Sequence, residues 1–93
     1  GRTEEAIPFL NQVRRRAGLA PAAATTQAEV KEAIEHERFL ELAFEGHRWF
    51  DLVRWNKAVG VIAGLTTPDR ILWPVPAREI DLNPSLLPQN PGY

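Results

Sequence analysis

Apolar residues recur at helical spacing in the first two-thirds of this chain and then lose their period. Ala6, Ile7, Leu10, Val13 and Ala17 fall on one stripe, which predicts a helix over about 3–17. Thr3 is placed to cap it, and Glu4 and Glu5 suit the positive end of the helix dipole. Pro8 has no N–H, so it should kink the first turn or move the start to about Ile7. Gly18 is a natural stop. Residues 20–25 read as a connector. Thr26-Gln27-Ala28-Glu29 is then a capping box, with the Thr and Glu side chains each satisfying a free N–H. A second helix is expected over 27–45. Gly46 interrupts it, and a third runs over 47–59.

Beyond Gly60 the signals change to loop and extended chain. Gly64, Thr66-Thr67-Pro68-Asp69 and Trp73-Pro74-Val75-Pro76 predict turns, with Trp73 and Val75 extended because each precedes a proline. Pro76-Ala77-Arg78-Glu79-Ile80 fits one helical turn with proline at its start. The ending, with Pro84, Pro88 and Pro91, cannot form a regular helix or a central strand. Its anchors are Leu82, Leu86, Leu87 and Tyr93, so residues 60–93 are expected to lie against other structure. The fold class is all-α with a proline-rich irregular tail.

The charged stretch from Val30 to Arg48 does not keep its charges on a solvated side. At about 100° per residue, Val30, Ile34 and Phe44 share a face. Glu37, Glu41 and Arg48 fall in the same sector, and Arg38 and Glu45 sit at its edge. Glu37, Glu41 and Glu45 form an i, i+4 ladder of like charges, which alone destabilises a helix. Arg38, three before Glu41, and Arg48, three after Glu45, are placed to pair with it along one ridge. Arg14 and Arg16 flank the first helix's apolar stripe, while Arg15 points away. Asp51 lies between Arg48 and Arg54 at i±3 spacing. These positions predict a partly buried ion-pair network of Arg14, Glu37, Arg38, Glu41, Glu45, Arg48, Asp51 and Arg54, centred on Glu41, Glu45, Arg48 and Asp51. Such a network specifies geometry more than it adds stability.

Catalytic readings are weaker. His36-Glu37-Arg38-Phe39-Leu40 lacks the second histidine of a zinc-protease helix, since position 40 is Leu. His36 and His47 have no supporting ligand pattern, so no metal site and no cofactor is expected. The single serine, Ser85, lies in the tail away from any nucleophile motif. A chain without cysteine has no disulfide or thiol chemistry of its own. With 11 basic and 12 acidic residues it lacks the basic excess of a nucleic-acid binder. Trp49 and Phe50 lie inside an amphipathic stretch and are read as core. Trp73, flanked by prolines in a loop, is a candidate ligand-binding residue, because an indole face suits an amphipathic ligand such as a sugar.

Several ordered segments resemble one family. They are Asn11–Leu19, Glu37–Trp55, Leu72-Trp73-Pro74-Val75-Pro76, Glu79-Ile80, Asn83-Pro84 and Gln89-Asn90-Pro91-Gly92-Tyr93. Together they resemble the C-terminal region of the SusD/RagB family of Bacteroidetes outer-membrane lipoproteins, over almost the whole chain. The resemblance implies a mainly helical fold with tetratricopeptide-like helix pairs. It also implies lipid anchoring at the outer-membrane surface through an N-terminal cysteine, and binding of glycans or other nutrients. A SusC-like TonB-dependent transporter is the implied partner, and no enzymatic activity is implied. On this reading residues 1–93 are a C-terminal segment whose upstream part carries most ligand contacts. The residues of 37–54 then transfer as structural, and the fragment is expected to self-associate non-natively. The alternative is a small helical protein–protein interaction module.

Overall fold

The computed structural model describes residues 2–93. Among these there is no strand. Five α-helices and two 3-10 turns follow one another: α1 (Thr3–Arg16), α2 (Gln27–Glu41), α3 (Arg48–Arg54), α4 (Ala58–Val61), a 3-10 turn at Pro68–Ile71, α5 (Ala77–Leu82) and a second 3-10 turn at Pro84–Leu86. The chain divides into two compact units, one ending at Arg48 and one starting at Trp49.

In the first unit, α1 starts one residue earlier than a Thr3 cap requires. Arg2 occupies the cap position, where its side chain caps no backbone N–H and pairs with Glu5 instead, and Thr3 is already helical. Pro8 neither delays the start nor ends the helix. It removes one bond to the Glu4 carbonyl, and both residues are exposed, so water can take the vacated acceptor. Gly18, at φ +74°, closes α1 with two bonds: its own N–H to the Arg15 carbonyl and that of Leu19 to the Arg14 carbonyl. The connector then doubles back along α1. The Ala22 N–H reaches Asn11 Oδ1 at 2.8 Å, and Arg14 Nε holds the Ala20 carbonyl at 2.8 Å. The expected capping box starts α2, with the Glu29 N–H on Thr26 Oγ1 and Glu29 Oε2 accepting from the Thr26 N–H at 3.0 Å. Leu10 and Val30 are the buried apolar residues of this unit.

Two helix ends differ from the expectation. The second helix stops at Glu41, not at 45. Phe44 turns left-handed at φ +66°, two residues before Gly46 at φ +77°, so the chain leaves the helix before the glycine is reached. The stretch expected as one helix over 47–59 breaks at Asn56, φ +61°. There the Asn56 N–H bonds the Val53 carbonyl and the Lys57 N–H the Leu52 carbonyl, the same closure that ends α1. Asn tolerates this conformation better than most residues with a side chain.

In the second unit the buried apolar residues are Leu52 and Ala58, and Asp51 is buried with them. Phe50, expected in the core, is exposed, and Trp49 is half-buried. The region expected as tail contains more helix than the sequence reading allowed, because α5 follows Pro76 for six residues. The ending is pinned by side chains in place of a strand ladder. Gln89 accepts the Val75 N–H at 2.8 Å and donates to the Val75 carbonyl at 2.8 Å. Asn90 donates to the Trp73 carbonyl at 2.6 Å. Arg70 lies 4.8 Å from the centre of the Tyr93 ring.

Candidate functional site

The charged residues of α1 and α2 meet in pairs. Arg14 Nη1 stands 2.7 Å from Glu37 Oε2, with the Glu37 side chain 6% exposed and that of Arg14 24% exposed. Arg16 pairs with Glu41 nearer the surface. The order of these contacts runs the same way along both helices. Glu37 lies in the helix sector of Val30 and Ile34, which the apolar period assigns to the core. Its carboxylate is tolerated there because Arg14 supplies both charge and hydrogen bond.

The rest of the expected network is arranged differently. Glu45 is exposed, so its expected place inside the network is corrected: the left-handed turn at Phe44 ends the i, i+4 ladder after Glu41. Arg48 lies over the Phe39 ring at 4.5 Å, an attraction between the cation and the ring face. Arg38 is half-buried. In the second unit, buried Asp51 holds Arg54 at 2.8 Å, and the Arg54 guanidinium lies 5.0 Å from the centre of the Trp55 ring. The sequence reading missed both cation–ring contacts. Their spacings, Phe39 nine before Arg48 and Trp55 next to Arg54, are not those of ion pairs on a helix.

Buried Glu35 also escaped the sequence reading. Lys31 approaches its carboxylate only to 3.9 Å. The i, i+4 spacing of Lys31 and Glu35 was the available signal.

The Glu29 carboxyl is strongly perturbed. Hydrogen bonds from the Thr26 and Thr25 backbone N–H groups hold it at about 2, below its ordinary 4.5. The cause is helix capping, which is structural.

Two features face solvent in an arrangement open to partners. The first is a groove of about 440 Å³ between α1 and α2, with Phe9, Leu10, Val13 and Ile34 in its walls and Glu37 and Glu41 at its edge. The second is Trp73, 81% exposed, on a backbone fixed through Asn90. Among the described residues no group of three or more His, Cys, Asp or Glu is placed to hold a metal, and no helix is long and apolar enough to cross a membrane.

Comparison with known proteins gives one answer. The sequence profile of the SusD family matches residues 1–69. SusD-like protein P38 of Formosa agariphila is 43% identical over an alignment that covers all of this chain and 20% of the relative. SusD-like protein P2 of the same organism is 33% identical, over 98% of this chain and 21% of its own length. This chain therefore spans about a fifth of the length of the curated relatives it matches. No solved structure matches it significantly.

Proposed function

The chain belongs to the SusD family, and we propose that it is the structural C-terminal part of a cell-surface protein that binds glycans or other nutrients. The family membership carries this reading. In it, the protein sits at the outer membrane, anchored by a lipid on an N-terminal cysteine outside these residues. It passes its ligand to a SusC-like TonB-dependent transporter. Its role is binding, without catalysis.

Within that protein these residues act as a brace. Arg14–Glu37 and Arg16–Glu41 fix α1 against α2, and the Gln89 and Asn90 side chains hold the proline-rich ending. Two glutamates of the ladder are accounted for without catalysis: Glu41 is held by Arg16, and Glu45 stands on the surface. The groove between α1 and α2 favours a second reading, a free-standing helical interaction module. That reading predicts a monodisperse monomer of 93 residues by light scattering, whereas a brace with its apolar groove uncovered self-associates.

The test uses intact cells and the natural protein. Externally added protease should cleave it, and purification in mild detergent should bring down an outer-membrane β-barrel. A protein that is protease-shielded and purifies without a transporter would contradict the reading.

A further inference from the structure

We propose that Trp73 is a stacking platform for a neutral sugar ring of the ligand, held ready by the chain's ending. The proposal rests on the reading of the parent protein as a binder of glycans or other nutrients. Three observations carry it. First, the ring stands in the open: Trp73 is 81% exposed. Second, the segment that bears it is fixed by side chains. Asn90 Nδ2 donates to the Trp73 carbonyl at 2.6 Å, and Gln89 bonds both backbone groups of Val75 at 2.8 Å. Pro74 and Pro76 restrict the same stretch further, since each has its φ locked. Little backbone freedom is left to lose when a ligand arrives. Third, the ring face is not taken by a cation. Among the described residues, Arg48 stands over Phe39, Arg54 over Trp55 and Arg70 over Tyr93, and none of these lies over Trp73.

The chemistry of the ring narrows the occupant. An indole offers a broad apolar face and one N–H at its edge. A pyranose with equatorial hydroxyls is the complement, with a flat patch of C–H groups on its face and hydroxyls around its rim. The indole face is electron-rich, so a carboxylate or sulfate over it is disfavoured and a neutral ring is preferred. Phe44 and Phe50 share the exposure but carry no donor at the ring edge.

The test uses the full-length gene product labelled with 5-fluorotryptophan and titrated with xylan, laminarin and soluble starch. The fluorine signal of Trp73, identified by its loss in Trp73→Leu, should shift with at least one of the three. Trp73→Leu keeps apolar bulk but removes the flat face, and should bind that polysaccharide about tenfold more weakly. Trp73→Tyr keeps a flat ring with a polar edge, and should bind within about threefold of the natural protein. Binding with an unmoved Trp73 signal would overturn the proposal and leave the nutrient-binding reading standing, and this readout needs no variant beyond the one that assigns the signal. An unchanged affinity in Trp73→Leu, or a Trp73→Tyr as weak as Trp73→Leu, would overturn it in the same way. No binding of any of the three would also overturn it, and titration with peptides and further polysaccharides then decides the nutrient-binding reading by itself.

Discussion

The guanidinium of Arg14 and the carboxylate of Glu37 meet at 2.7 Å across 23 positions of sequence. The same guanidinium holds the carbonyl of Ala20, so one side chain joins α1, the connector and α2. Because Glu37 is almost fully buried, losing its partner leaves a charge inside the helix pair. Arg14→Ala should lower stability by about 3 kcal/mol, near the lower end for breaking a buried pair since Arg14 is partly exposed. The double replacement Arg14→Leu with Glu37→Leu should recover most of that loss. Denaturant melts of the three proteins check this. A double variant as unstable as Arg14→Ala would mean the charges themselves are required.

Glu45 provides the contrast. It belongs to the same ladder of glutamates, yet it is exposed beyond the turn at Phe44. Glu45→Gln should change stability by less than about 0.5 kcal/mol, as surface replacements usually do. A thermal melt displaced by several degrees would place Glu45 in a buried pair after all.

The start of α2 should respond to acid. The Glu29 carboxyl titrates at about 2 in the folded chain and at 4.5 when unperturbed. A group with a lowered folded value stabilises fully above its unfolded value and loses that effect as pH falls. The capping box should therefore weaken between about pH 4.5 and pH 2, seen as loss of protection at the Thr25 and Thr26 amides relative to their intrinsic exchange rate at each pH. Thr26→Ala, which removes the other half of the box, should cost about 1 kcal/mol at neutral pH. A Glu29 carboxyl titrating near 4.5 by NMR would contradict the assignment.

Gly92 and Gly18 should differ when each is changed to Ala. Both have positive φ, +89° and +74°, so each replacement strains the backbone by about 1 kcal/mol. At Gly18 nothing lies within 4 Å of the added carbon. At Gly92 it would meet the Asp69 Cβ at 3.0 Å. Gly92→Ala should therefore also release Tyr93 from Arg70, and the Tyr93 ring signals in NMR should shift in that variant and not in Gly18→Ala. Unchanged Tyr93 signals in Gly92→Ala would mean that this contact does not depend on the turn at Gly92.

These contrasts show where sequence reasoning succeeds and where it stops. The α1 stripe, the Gly18 stop and the Thr26–Glu29 box were legible because each is a local pattern with one physical solution. Arg14 and Arg16 were visible as candidates because they flank the apolar stripe. The turn at Phe44 was not legible. An aromatic residue disfavours positive φ, so only its surroundings can impose that conformation. Once that turn is missed, the ladder is carried one step too far and Glu45 is misplaced. Asn56 did carry a signal, since Asn is the second choice after Gly for ending a helix, but the helical period continuing through Trp55 masked it. The Gln89 and Asn90 clamp was hidden for another reason. It joins residues 14 and 17 positions apart through side chains that obey no period.

The most direct test of the central claim is calorimetric titration of the purified full-length protein with a panel of polysaccharides and peptides, with new reducing ends followed in the same samples. Saturable binding to at least one of these nutrients, with no release of reducing ends, is the predicted result. Hydrolysis of a bound polysaccharide, or no saturable binding to any glycan or peptide nutrient, would contradict it.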